Sequence, residues 1–273
     1  MSLGESITHT VPPVHGLAIW WLGQSGYVFG TGDGLRLAVD PFLSGTMEGR
    51  PEDFPRLIPP PLRPAELNVG VLLVTHAHTD HLDLEVLRAS ERRDALAVIG
   101  PPSVKDALPV SGILDADVHI LRAGDSEEVG STRVTATFCI PNEEAAIDSI
   151  GYIIEFANGI TVYHTGDTGF HPFLYYLSRF KLDLMFPCIN GKYGNMGVEE
   201  AAELTRYLRP KVVVPQHYGM FALNDENPYD FVGCLKKSFA EAEAAVLSVG
   251  DTYLYDPSPS NEGCLLQRVD HVE

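Results

Sequence analysis

Short apolar runs recur along the chain, and several stop at a residue able to bind a metal. Positions 71 to 74, 160 to 163 and 212 to 214 are rich in β-branched and aromatic side chains and too short for helices, so they read as buried strands. The same signals predict strands at 17–22, 26–29, 36–40, 71–75, 97–99, 117–121, 127–138, 150–156, 160–164, 183–188, 211–215 and 245–255. Apolar residues at helical spacing predict helices at 83–92, 102–108, 171–180, 197–208 and 228–242, with Asp83 as the cap of the first. Early strands favour hairpins and later ones alternate with helices. With no linker, repeat or low-complexity tail in view, residues 1–273 read as one α/β domain. Trp20 and Trp21, as neighbours on a strand, are expected to point one to the core and one to the surface. The proline-rich stretch 51–64, with PPPLRP inside it, is expected to be an insertion, either a lid or a rigid surface loop.

The strand at 71–75 runs into THAHTDHLD, which places His76, His78, Asp80 and His81 within six positions. Neutral imidazole and carboxylate are the ligands that hold zinc, manganese or iron near neutral pH, and such an ion brings the pKa of its water toward about 7. Period-2 geometry puts His76 and His78 on one side of the chain, while Asp80 and His81 fall in the turn before the helix and face a second, adjacent position. Two further strand ends carry partners. Asp167 follows 160–164 in the turn TGDTG, and His217 follows 211–215 after a proline and a glutamine. The pattern predicts a metal-dependent hydrolase acting through hydroxide held on the ion, with Asp80 orienting the nucleophile or taking its proton. His171 and His164 flank the Asp167 turn. His171 either meets substrate as an acid or starts a helix, and His164 reads better as a support for Asp167.

Composition narrows the chemistry. The formal charge of −18, from 37 acidic and 19 basic residues, opposes binding to nucleic acid, which relies on clustered Lys and Arg. A basic leader and an apolar run of about 18 residues are both missing, so neither secretion nor membrane insertion is expected and the cytoplasm is the default. Cys139, Cys188, Cys234 and Cys264 are widely spaced and read as free thiols. A small molecule is the expected partner. In CINGKYGNMG, Lys192, Tyr193 and Asn190, with Asn195 and the glycines, are candidates to hold a phosphate, the alternative being a plain connection with Lys192 solvated.

The H-x-H-x-D-H run, the G-D aspartate and the late histidine together resemble the metallo-β-lactamase superfamily from about Trp20 to about Asp251. The resemblance implies a four-layer αββα sandwich of two mixed sheets flanked by helices. It also implies a homo-oligomer, and an Asp40 that supports the metal loop without binding metal. Within the superfamily, IWWLGQSGYVF, THAHTDHLD, GYIIEF leading to VYHTGD, and KVVVPQHYGMF look closest to the L-ascorbate-6-phosphate lactonase group, which implies hydrolysis of a lactone or ester of a small, phosphorylated sugar acid. A phosphodiesterase or nuclease of the same fold and a non-catalytic metal-binding scaffold are the alternatives. One departure matters: no histidine lies between His119 and His164, where most two-metal members carry one. Cys139, Asn142, Glu143, Glu144 and Asp148 are the substitutes in that segment. One firm site at Asp80, His81, Asp167 and His217 is therefore expected, with a weak or absent one beside His76 and His78.

Overall fold

The computed structural model describes residues 1–45, 54–89, 96–107, 118–140, 147–258 and 263–269. Strands β1 (Leu17–Gly23), β2 (Gly26–Gly30), β3 (Arg36–Val39), β4 (Val71–Leu73), β5 (Ala97–Gly100), β6 (Val118–Ile120), β14 (Thr252–Tyr255) and β15 (Leu266–Val269) form one sheet in the order β15-β14-β1-β2-β3-β4-β5-β6. The second sheet runs β13-β12-β11-β10-β9-β8-β7, from β7 (Ser126–Val129), β8 (Thr132–Phe138), β9 (Ile150–Glu155), β10 (Thr161–His164), β11 (Leu184–Phe186), β12 (Val212–Val213) and β13 (Glu243–Ala244). Both sheets are mixed. Pairing is parallel along β3-β4-β5-β6 and along β10-β11-β12-β13, and antiparallel elsewhere.

Strand β1 shows why the fold has four layers. Leu17, Ile19 and Trp21 pack into the large core between the sheets, whereas Ala18, Trp20 and Leu22 pack into a second core on the other face. Both faces of the strand are therefore buried, and neither tryptophan reaches the surface as the alternation alone suggested. Helices α1 (Leu3–His9), α2 (Leu84–Ala89) and α3 (Pro102–Ala107) contribute Ile7, Val86, Leu87 and Val104 to the second core. Trp20 Nε1–H lies between Ser6 Oγ at 3.1 Å and Thr252 Oγ1 at 3.0 Å, so its polar edge is satisfied within the outer layer. On the far side, α4 (Val198–Leu208) and α5 (Pro228–Ser238) bury Ala201, Leu204, Leu208, Phe231 and Leu235 against the second sheet.

Several boundaries differ from the sequence reading. The span 127–138 is a hairpin, not one strand, because Gly130 turns with φ 61° between β7 and β8. Residues 172–179 form 3-10 turns rather than an α-helix, and the helix at 228 stops at Ser238. In the span 245–255 only Thr252–Tyr255 is strand, and the neighbouring Glu243–Ala244 pairs in the other sheet. Helix α1 and strand β15 were not anticipated. The start of α1 is set by a capping box in which Ser2 and Glu5 exchange hydrogen bonds. Positions 51–53 of the proline-rich stretch, 90–92 of the first helix reading, and 108 and 117 lie outside the described residues.

Candidate metal centre

Every predicted ligand sits beyond the carboxyl end of a strand, His76 to His81 after β4, Asp167 after β10 and His217 after β12, and the expected support Asp40 does so after β3. Parallel segments place these ends together at one rim, where an α/β sheet presents its loops to ligands. Strand β4 stops at Leu73, so the whole THAHTDH run is loop. It is tied across to the second sheet by Ile150 N–H to Thr75 O at 3.0 Å. Asp83 caps α2 as read, accepting from Glu85 N–H at 2.9 Å, and its other oxygen takes the N–H groups of Leu43 and Ser44 at 2.8 and 2.7 Å. The Asp167 turn depends on Gly166, whose φ is 60° and where a Cβ would lie 2.8 Å from Ile150 O and 3.1 Å from Thr75.

Two overlapping triads, His76/His81/Asp167 and Asp80/His81/His217, each bring their ligand atoms within 4.8 Å of one another, and every member is buried. His81 Nε2 lies 3.5 Å from Asp167 Oδ1 and 3.6 Å from Asp80 Oδ2; His217 Nε2 lies 3.2 Å from Asp167 Oδ2 and 3.8 Å from Asp80 Oδ2. Two ligands each about 2.1 Å from a tetrahedral ion stand about 3.4 Å apart, and these separations scatter around that value. His81 Nε2 and Asp167 Oδ1 are moreover buried without a hydrogen-bond partner, a cost that a divalent ion between them removes. The donor set therefore fits such an ion. His78 belongs to neither triad; its Nδ1 meets His76 Nε2 at 3.0 Å.

Around the ligands lies a second set of contacts. Asp40, fully buried, accepts from Thr75 N–H at 2.8 Å, Thr75 Oγ1–H at 2.6 Å and His81 Nδ1–H at 2.7 Å. That last bond fixes Nδ1 as the protonated nitrogen and leaves His81 Nε2 as the ring atom available to an ion once its own proton is displaced. Gln24 Nε2–H donates to Asp80 Oδ2 at 3.0 Å and lies 3.2 Å from His217 Nε2, while its carbonyl accepts from Trp21 Nε1–H and His217 N–H, each at 3.1 Å. Asn195 Nδ2–H donates to Asp167 Oδ2 at 2.9 Å. The sequence reading missed Gln24 as a site residue and placed Asn195 only with the phosphate candidates. The one local signal for Gln24 was its place in the G-Q-S-G turn that opens the resembling stretch. Five described non-glycine residues have positive φ, and apart from Arg209, which ends α4, they are Gln24, Asp40, Tyr193 and His217. Three of these, Gln24, Asp40 and His217, belong to the cluster or bond to it, so much of the backbone strain lies there.

Electrostatics follow from burial and neighbours. Burial opposes charge on His81, but Asp167, Asp80 and Asp40 outweigh it and hold its pKa well above the usual imidazole value. Burial likewise opposes charge on Asp167, yet His217 and His81 pull its carboxyl well below the usual range. His76 goes the other way, kept neutral by burial and by His81. His164 is fully buried, its pKa lowered by burial; Nε2–H donates to Ser25 O at 2.9 Å and Nδ1 accepts from Gly166 N–H at 3.2 Å, so it fastens the Gly166 turn to the β1–β2 loop. His171 is exposed and caps the 3-10 turns, Nδ1 accepting from Phe173 N–H at 3.0 Å.

The phosphate candidates are not gathered at one point. Asn190 is buried, and its amide donates to Asn224 at 2.5 Å; Tyr193 packs with Phe42, Phe54, Met220 and Phe221; Lys192 is exposed. Of the substitutes for the missing histidine, Cys139 is buried with Sγ 3.3 Å from Thr165 O, and Asp148 accepts from Ser103 N–H at 2.7 Å. Asn142, Glu143 and Glu144 lie outside the described residues.

A family model described as a beta-lactamase superfamily domain matches residues 18–217, the span that carries every ligand. The chain belongs to the beta-lactamase superfamily. A UPF0173 metal-dependent hydrolase from Myxococcus xanthus is 30% identical over 246 residues, 85% of this chain and 81% of that protein. Another, from Archaeoglobus fulgidus, is 26% identical over 249 residues, covering 88% of this chain and all of that one. The solved structure of Igni18, a metallo hydrolase from Ignicoccus hospitalis, superposes with a TM-score of 0.70 at 23% identity, over 89% of this chain and 100% of that one, a likeness of fold. This membership makes the chain a metal-dependent hydrolase of the metallo-β-lactamase superfamily, with the two-sheet architecture expected of it.

Proposed function

We propose that the chain hydrolyses a lactone or ester of a small molecule, at a centre held firmly by Asp80, His81, Asp167 and His217. The observation that carries this reading is the pair of buried, partnerless atoms His81 Nε2 and Asp167 Oδ1, set at ligand spacing with Asp80 and His217. Held by these residues, a divalent zinc, manganese or iron ion would supply Lewis acidity and lower the pKa of a water toward about 7. His76 and His78 line the adjacent position, which lacks its usual third histidine and binds a second ion weakly or serves the substrate.

The protein's own groups do the rest. Asp80 is fixed at Oδ2 by the Gln24 amide, which leaves Oδ1 to take the proton of the attacking water. Asp167 is steadied at Oδ2 by Asn195 and faces both His81 and His217, while His81 is the member the two triads share. Asp40 and Thr75 set the His81 tautomer, and His164 holds the Gly166 turn. His171, exposed and with Nδ1 accepting from Phe173 N–H, is engaged as a cap, so the leaving alkoxide takes its proton from Asp80, which received it from the attacking water.

Asn190 and Tyr193 are engaged within the protein, which supports an uncharged substrate over a phosphorylated sugar acid. The charge of −18 also disfavours the phosphodiesterase reading with nucleic acid as substrate. The test combines metal analysis of the purified protein with turnover of δ-valerolactone, L-ascorbate 6-phosphate and bis(p-nitrophenyl) phosphate. Opening of the plain lactone with loss of metal and activity in Asp167→Ala and His217→Ala is expected. Cleavage of the diester without any lactone turnover overturns the proposal.

A further inference from the structure

A cavity of about 490 Å³ is lined by Trp21, Tyr218, Pro59, Pro60, Pro61 and Val249 among others. Its size falls within the range of small-molecule sites, about 300–1,000 Å³. None of the described lining side chains is charged. The proline run offers no backbone N–H, so that stretch of wall is apolar and rigid. The Trp21 and Tyr218 rings, with centroids 4.9 Å apart and planes at 41°, add two aromatic surfaces, and both residues are over nine-tenths buried. One polar atom stands out: the Tyr218 hydroxyl is buried and has no hydrogen-bond partner. Leaving it so costs on the order of a hydrogen bond, which a ligand oxygen or nitrogen recovers.

Two of the lining residues are tied directly to the ligand cluster. Tyr218 directly follows His217, and Trp21 donates its indole N–H to Gln24, whose amide holds Asp80. We propose that this cavity seats an apolar acyl or aryl group of the substrate, with Tyr218 Oη hydrogen-bonded to a polar atom of that group. The inference rests on the hydrolase reading above and names its substrate class, an ester or lactone bearing an apolar substituent. It also gives the proline-rich stretch a task as a fixed wall of the substrate site, which its sequence left open between lid and surface loop.

Two measurements separate this proposal from the hydrolase reading. In the first, 1-naphthol, a flat apolar probe with one hydroxyl, is titrated calorimetrically into metal-stripped protein. Saturable one-to-one binding is expected, weakened about tenfold or more in Tyr218→Phe, which removes only the hydroxyl, and abolished in Ile58→Glu, which puts a carboxylate at a half-buried wall position. In the second, the metal-loaded protein is assayed with 4-nitrophenyl acetate, butyrate and octanoate. The ratio of kcat/KM values is expected to rise by up to about fourfold per added methylene over the first few carbons, and to collapse in Ile58→Glu. Naphthol binding without ester turnover sinks the hydrolase reading and leaves the cavity as an apolar binding site. Ester turnover with no chain-length preference, with no heat from naphthol in protein of unchanged Tm, overturns the cavity proposal and spares the hydrolase.

Discussion

Replacing Asp40 by Asn tests whether the buried carboxylate controls the metal ligands through their protons. The side chain is nearly isosteric, and Asn Oδ1 can still accept the Thr75 N–H now held at 2.8 Å. The amide NH₂ then occupies the place of Oδ2, which at present accepts from Thr75 Oγ1–H at 2.6 Å and His81 Nδ1–H at 2.7 Å. Two donors cannot face a donor. His81 must shift its proton to Nε2, the atom aimed at Asp167, and so loses its lone pair for the ion. Thr75 Oγ1 turns from donor to acceptor and offers its hydrogen to His76 Nδ1, 3.0 Å away, which puts that ring too in the other tautomer. Losing a supporting contact of this kind typically lowers metal affinity about 10- to 100-fold, or about 1.4 to 2.8 kcal/mol. Asp40→Ala is the contrast. It strands Thr75 N–H, Thr75 Oγ1–H and His81 Nδ1–H in the interior, at about 1 to 3 kcal/mol each and less than additively, so it should cost stability first. The assay is titration of zinc or manganese into metal-stripped protein, with thermal denaturation alongside. Wild-type affinity in a folded Asp40→Asn protein, or a fall in Tm as large as that of Asp40→Ala, refutes the tautomer argument.

Three other outcomes follow from the same geometry. In metal-free protein the raised His81 pKa contributes stability that is complete below the unfolded imidazole value of about 6.5 and is lost as pH rises through the folded value. Stripped protein should therefore weaken at alkaline pH, and loading at pH 7 should release about one proton, seen as a dependence of binding heat on buffer ionisation enthalpy; no such dependence contradicts it. Gln24→Ala removes the donor to Asp80 but keeps the backbone carbonyl that holds Trp21 and His217, so kcat/KM for a lactone should fall about 10- to 100-fold with Tm little moved. A large loss of Tm would make Gln24 merely structural. Cys139→Ala should leave metal stoichiometry unchanged, because burial and the neighbouring Cys188 and Asp167 keep the thiol protonated; loss of metal would make Cys139 the substitute ligand.

The candidate ligands were legible because each stands where an apolar β-run ends, and strand ends at the carboxyl side of parallel pairs converge whatever the sequence distance between them. Asp40, His81, Asp167 and His217 come from strands that sequence periodicity alone locates, so their meeting needed only the sheet order. Gln24 gave no comparable signal. It follows β1 in a turn, and it matters because its positive φ aims a carbonyl at Trp21 and His217 and an amide at Asp80, which depends on a backbone conformation that no periodicity encodes. The burial of Trp20 was hidden for a related reason. Alternation says that Trp20 and Trp21 face opposite ways, but whether the second face meets water depends on α1, whose seven residues carry too weak a hydrophobic stripe to announce it. The same limit explains the His171 helix, where apolar spacing was right but the chain follows 3-10 turns after Pro172. A candidate ligand is readable from its own residue type and its place at a strand end. The support roles of Asp40 and His164 came from the resemblance and from the place beside the Asp167 turn, whereas Gln24 and Asn195, which decide how Asp80 and Asp167 are presented, have roles conferred only by what they bond across from them.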